Sequence, residues 1–421
     1  MTSAGKPSPT ATVPPWQWLR LLGPAFVASV AYVDPGNVAA NLSAGGRYGY
    51  ALVWVLAAAS LMAMVIQYQS AKLGLVSGRT LPQLMTERFA RSRLHAPLTW
   101  GYGLQAFVIA IATDVAEVVG GALGLNLLFG VPLWFGGVVV GLISLALLAG
   151  LRNRGEHAFE YGVGALLALV ALGFLGTLFF QPPDWSATAQ GLLPQVPDRA
   201  AWPLIAAMLG ATVMPHAIYL HSGLAIDRFR PEGSLPTQGL GRLLRVQRID
   251  VVLALVVSGS VNVAMLLLGA TLLDAQGGGT IEAAHASLVA SLGPVAAAVF
   301  AIGLLASGIG SAVVGTHAGS RILKDMHLWQ VSPLIRRSLT IAPAVLLLLL
   351  GAPPTSVLIW SQVVLSFGIA FAAIPLAIVT ADRAVMGSFA DRSWQRVVNW
   401  TIVTAIVALN LITVWWALSG S

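Results

Sequence analysis

Cysteine is missing altogether from the 421 residues, and charged side chains make up only 9% of them. Without cysteine there is no disulfide framework, no thiolate metal site and no cysteine nucleophile. Soluble domains carry about 25% charged residues, so this chain has too few polar side chains to coat a water-facing surface. What fills it instead is apolar: 57% of positions are aliphatic, aromatic or alanine, and 44 glycines add to them. Disorder, whose mark is low hydropathy, is excluded by the same composition. The chain reads as an integral membrane protein.

A span needs about 20 mostly apolar residues. Eleven such windows fall at 21–45, 51–73, 99–128, 131–150, 158–180, 202–225, 250–273, 286–320, 338–351, 355–381 and 398–418. The stretches 99–128 and 286–320 exceed a bilayer, which predicts tilt or an extension beyond it. Long helical windows, rather than strands of about 10 alternating residues, exclude an outer-membrane barrel. With alternate loops assigned to opposite sides, every one of the 23 Lys and Arg residues except Arg47 and Arg199 falls on one side. The positive-inside rule makes that side cytoplasmic, with the N-terminus inside and the C-terminus outside. The net charge of +7 is therefore topological and does not mark a nucleic-acid partner. The plan is a Pro/Ser/Thr-rich tail at 1–16, a five-helix unit at 17–181, an outer loop at 182–201, a second unit at 202–382, and an eleventh helix with the C-terminus at 383–421.

Two spans carry a break near their middle: Asp34-Pro35-Gly36-Asn37 in the first and Met214-Pro215-His216 in the sixth. Proline inside a helix removes an amide and clashes with the preceding turn. A break at mid-membrane is tolerated only where protein or a cavity surrounds it. The first and sixth spans are equivalent if the chain is two five-helix units, and an odd number of helices per unit inverts the second relative to the first. Interrupted helices at matching places of inverted repeats point to a transporter's midplane site. Asp34 supplies an anion that is costly in the bilayer, Asn37 an amide oxygen, and unwinding frees carbonyls near Ala31 and Ala211. Met214 adds a thioether. Oxygen donors alone suit Mg²⁺ or Ca²⁺, whereas the soft sulfur adds affinity for Mn²⁺, Fe²⁺, Co²⁺ and Cd²⁺.

The DPGN segment at 34–37 with MPH at 214–216 resembles the Nramp (natural resistance-associated macrophage protein) family of divalent metal transporters. GGRYGY at 45–50, SGRTLPQL at 77–84, ATDVAEVVG at 112–120 and ATVMPHAIYLHS at 211–222 extend the resemblance. It implies an all-α fold of eleven transmembrane helices, a LeuT-type inverted repeat of spans 1–5 and 6–10 with helices 1 and 6 broken. The implied activity is proton-coupled uptake of Mn²⁺ or Fe²⁺. The metal ligands would be Asp34, Asn37, Met214 and the carbonyls of Ala31 and Ala211. The segment GTHAGSRILKDMH at 315–327 departs from the family pattern, and its His317 reads as a helix-end residue near the cytoplasmic surface.

Asp114 and Glu117 share one face of the third span. Paired carboxylates in a bilayer suit proton relay, with Arg336 and Arg337 at the start of the ninth span as candidate partners. The resemblance has Asp34 taking or releasing the first proton. His216 and His221 project about 140° apart on a straight helix, which disfavours a two-histidine metal site; both are candidates for the proton pathway, with a helix-packing hydrogen bond as the alternative for His221. Asn262 is expected to bond across helices, and Gln362 is a second-layer or occluded-state ligand. The glycine runs at 136–141 and 303–315 read as close helix packing. No HExxH or GxSxG motif indicates an enzyme. The expected partners are a divalent ion and a proton as substrates and the lipid bilayer around a monomer, with no cofactor. Mg²⁺, or an amino acid moved with Na⁺, is the competing substrate reading.

Overall fold

The structure is a computed structural model that describes residues 23–153, 156–230, 239–273, 279–326 and 333–419. The tail expected at 1–16 lies outside the described residues. So do the side chains of His317, Arg336 and Arg337.

A chain with so few polar groups must satisfy its backbone within each segment, and helices do so. The described residues form α1 (Pro24–Val30), α2 (Pro35–Tyr48), α3 (Val53–Ser77), α4 (Leu81–Ala90), α5 (His95–Phe129), α6 (Leu133–Asn153), α7 (Glu156–Phe180), α8 (Trp185–Gln190) and α9 (Ala201–Thr212). There follow α10 (Pro215–Phe229), α11 (Leu240–Leu272), α12 (Ile281–Leu292), α13 (Pro294–Asp325), α14 (Pro333–Leu349), α15 (Pro354–Ala381), α16 (Arg383–Met386) and α17 (Ser393–Leu418). Each of the eleven expected spans has its helix, the first as α1 with α2 and the sixth as α9 with α10. Seven stretches among the described residues, the sixth span counted through its break, are long and apolar enough to cross a membrane.

The eighth window needs correction. What read as one stretch over 286–320 is the end of α12 followed by α13, divided at Gly293–Pro294. Gly293 sits at φ 86°, a conformation open to glycine, and Pro294 opens the next helix, where its missing amide costs nothing. Three short helices, α4, α8 and α16, were not expected at all. In α4 the Thr80 side chain and Gln83 form a reciprocal cap at its start.

The packing pattern is that of a duplicated, inverted unit. In it α11 packs on α2 as α3 packs on α10, α15 lies against α5 as α7 lies against α13, and α5 meets α13 at the centre. Close approach there uses the glycine runs: a Cβ on Gly308 would press on the Gly121 backbone, and one on Gly136 on Ala122.

Contacts at the two ends of the bundle keep the two sets of loops apart. At one end Lys72 meets Asp391 at 2.6 Å, Thr80 donates to Asp325 at 2.7 Å, and Arg321 pairs with Asp227. At the other end Tyr48 donates to Asp198 at 3.0 Å, Trp54 Nε1 to the Gln195 carbonyl at 2.9 Å, and the Ile281 amide to Thr355 at 3.1 Å. Each set joins only loops that the arginine distribution places on one side.

Candidate metal centre

The first break begins with a local cap. Asp34 is extended (φ −71°, ψ 165°) and its carboxylate accepts from the Asn37 amide at 2.7 Å. Aspartate at the N-cap with proline at the first helical position is a strong helix start, so the sequence restarts a helix at mid-membrane. The turn before it, Ala31–Val33, is 3₁₀. Two of its carbonyls are taken by neighbouring helices: Asn262 of α11 donates to Tyr32 O at 2.9 Å, and Ser307 of α13 to Val33 O. The bond expected of Asn262 is thus present. The second break repeats the design, with Met214 extended (φ −69°, ψ 124°) ahead of Pro215. Both breaks aim helix C-termini, of α1 and α9, and helix N-termini, of α2 and α10, at one zone, where their partial charges complement ions.

One side chain joins the two breaks. The Asn37 amide nitrogen donates to Asp34 Oδ1 at 2.9 Å and to the Ala211 carbonyl at 2.8 Å. A second amide comes from α15: Gln362 donates to Asp34 Oδ2 at 3.0 Å. The Gln362 side chain lies where a Cβ on Gly36 would stand, and its carbonyl where a Cβ on Gly210 would stand. These two glycines are what let α15 reach both breaks. Asn37 Oδ1 and Gln362 Oε1 are buried without a hydrogen-bond partner among the described residues.

A half-turn of either amide would aim its oxygen at the space beside Asp34 and the Ala211 carbonyl. Asp34, Asn37, Ala211, Met214 and Gln362 are each at most 1% exposed, and Ala31 is buried with them. Among the described residues no three His, Cys, Asp or Glu side chains converge. The groups that hydrogen bonds bring together here are therefore one carboxylate, two side-chain amides and the Ala211 carbonyl, with Met214 buried at the second break.

Gly120 of α5 abuts Pro35, which sets the first break against that helix. Glu117 and Asp114 lie on the same helix towards its N-terminal, arginine-rich end, and both are buried. Glu117 faces α13 at Gly315, where a Cβ would stand 2.5 Å from its carboxylate. Thr113 shares a hydrogen bond with His216 Nδ1 at 3.3 Å, and His221 Nδ1 one with Gln67 of α3 at 2.7 Å. The two histidines thus face different helices, as their spacing requires. Gln67 also donates to the Tyr32 hydroxyl. Neither Tyr32 nor Gln67 was singled out in the sequence; a glutamine inside an apolar run was the available signal.

The family model described as "Natural resistance-associated macrophage protein-like" matches residues 25–416. A Mycobacterium tuberculosis protein named divalent metal cation transporter MntH is 46% identical over 401 residues, covering 95% of this chain and 92% of the relative. The crystal structure of an Eremococcus coleocola manganese transporter superposes with a TM-score of 0.81 at 26% identity, over 96% of this chain and 88% of that one. MhsT, solved in complex with L-phenylalanine, shares the fold alone, at a TM-score of 0.58 and 16% identity over 92% of this chain and 98% of its own. With the two breaks, their bridging amides and a match along nearly the whole length, this chain belongs to the Nramp family.

Proposed function

We propose that this chain imports divalent transition metals, Mn²⁺ and Fe²⁺ foremost and Cd²⁺ and Co²⁺ as well, with protons, across the cytoplasmic (inner) membrane by alternating access. The observation that carries the reading is the Asn37 amide, which spans Asp34 and Ala211 and so draws both breaks onto one point. Its N–H groups stand where a cation's positive charge would be favoured by the same two oxygens.

In this reading the ion displaces those N–H contacts. Asp34 neutralises part of its charge, the Asn37, Gln362, Ala31 and Ala211 oxygens replace part of its water shell, and Met214 selects against Mg²⁺. Asp34 gives up its proton as the ion binds, and the proton moves along α5 by way of Asp114 and Glu117, with His216 and His221 lining the route and Arg336 and Arg337 as candidate partners from the sequence alone. Spans one and six rock to open the inner side in a monomer, with the arginine-rich end in the cytoplasm. No cofactor takes part, and apart from the proton's O–H bonds no covalent bond is made or broken. An amino-acid substrate fits poorly, because its carboxylate would meet Asp34.

Uptake into proteoliposomes under an acid-outside gradient tests this. The wild type should accumulate Mn²⁺ and Cd²⁺ and exclude Mg²⁺, and Met214→Ala should weaken Cd²⁺ uptake about tenfold or more. Robust Mg²⁺ transport with Mn²⁺ excluded, or unchanged Cd²⁺ affinity in Met214→Ala, would overturn the assignment of the sulfur.

A further inference from the structure

At the arginine-rich end, α11 starts well before its apolar window. Its 33 residues rise about 50 Å against a hydrocarbon core of about 30 Å, and the window expected for this span begins at 250. Residues 240–249 therefore stand at headgroup level. Arg242, Arg245 and Arg248 recur every third residue there, and all three are exposed, so they form one stripe on the helix surface. The same face runs on into exposed Ile249, Val252, Leu253 and Val256, the apolar surface that acyl chains would cover. The opposite face, with Leu243, Leu244, Gln247 and Asp250, is buried.

What separates this stripe from an ordinary topological signal is order without neutralisation. Lys72, Arg79, Arg88 and Arg321 at this end are matched by Asp391, Glu87, Asp382 and Asp227, whereas Arg91, Arg93 and Arg383 are exposed and form no ion pair among the described residues. Among the described residues no ion pair involves Arg242, Arg245 or Arg248. Arg248 is moreover held against the neighbouring helix, its guanidinium 4.9 Å from the centre of the Tyr68 ring and donating to the Tyr68 hydroxyl at 3.5 Å. It is thus ordered without being neutralised. Below Tyr68 on α3, Leu61 is 64% exposed, so the seam between α3 and α11 continues as an apolar surface.

We propose that this seam binds an anionic phospholipid of the adjacent leaflet. The phosphate is held by the guanidinium forks of the three arginines, which match its oxygens two at a time, and the acyl chains lie along Val252, Val256 and Leu61.

The test reconstitutes the full chain in phosphatidylcholine nanodiscs with graded phosphatidylglycerol and measures lipid retained per protein by native mass spectrometry. The wild type should retain phosphatidylglycerol selectively. Arg242→Gln, Arg245→Gln and Arg248→Gln should each weaken retention about fivefold, and the triple variant should abolish the selectivity. The control triple Arg91→Gln, Arg93→Gln and Arg383→Gln removes equal charge from the same end and should leave it intact. Equal losses in both triples would replace a site by a diffuse field and overturn the proposal. So would displacement of the lipid by millimolar inorganic phosphate, which would mark a free-anion site. Should the triple variant not fold, raised salt on the unmodified protein replaces it. Selective retention indifferent to ionic strength contradicts a phosphate held by arginines.

Discussion

Gly36 and Gly210 both make room for Gln362, yet a methyl group at each would meet a different obstacle. At Gly36 it would run into the Gln362 amide, the movable end of a side chain; at Gly210 it would run into the Gln362 carbonyl and the Ser366 amide, which are backbone. Gly36→Ala should therefore push Gln362 off Asp34 and cut Mn²⁺ uptake while the melting temperature stays close to wild type. Gly210→Ala should cost about 1–3 kcal/mol of stability or more, since overpacking against backbone cannot relax by a rotamer change. Uptake and thermal melts measured side by side separate the two, and equal loss of stability in both would refute the distinction. At this scale the sequence exposed Asp34, Asn37 and Met214 because proline marks where the helices stop. Gln362 was only half legible. An amide in an apolar run announces that it has a partner, but not which one.

Helix α1 is short, and its start is held from outside: Asp250 of α11 accepts from the Gly23 and Ala25 amides at 3.2 and 3.0 Å. Loss of a capping carboxylate costs about 1 kcal/mol. Asp250→Ala should thus speed hydrogen exchange of the 24–33 amides severalfold while those of α3 keep their protection; uniform acceleration would show a global effect instead. At the end of α13, beyond the apolar window, burial holds the Asp325 carboxyl above the ordinary carboxylate range, opposed by the Thr80 hydrogen bond and Arg321. A raised acid contributes most to stability below its unfolded value and loses that contribution as pH climbs through the folded one. Asp325→Asn should therefore gain on the wild type as pH rises from about 4 to about 8, read as the difference between their melting temperatures. A fall in the variant's melting temperature relative to the wild type's over that range would contradict it. The long helices were legible from apolar length alone. The division at Gly293–Pro294 was present as a dipeptide but hidden by the apolar residues on both sides. Helix α4 was signalled only by Thr80 and Gln83, a cap too brief to stand out.

The eleventh helix, α17, belongs to neither repeat, and a buried charge cluster fastens it. Asp391 accepts from Lys72 at 2.6 Å, Gln69 at 3.1 Å and Asn399 at 2.8 Å. Removing one member of a buried pair leaves the other charge stranded, at a cost of about 3–5 kcal/mol. Asp391→Ala should consequently lower the thermal stability of the whole bundle far more than Asp382→Ala, whose pair with Arg88 at 3.7 Å is exposed. Comparable melting curves would argue against the anchor. The inverted duplication was legible from the span count and the placement of the breaks. Which helices meet across the repeats was not, because the contacting surfaces are small and apolar and their sequences carry no address.

The mutual packing, α11 on α2 and α3 on α10, has a geometric corollary. Because the halves run in opposite directions, a tilt that spreads one of these pairs at its own face compresses the other at the opposite face. Under the proposed alternating access, the crossing of α5 and α13 would serve as the pivot, and admission from one compartment and discharge to the other would be two positions of a single lever.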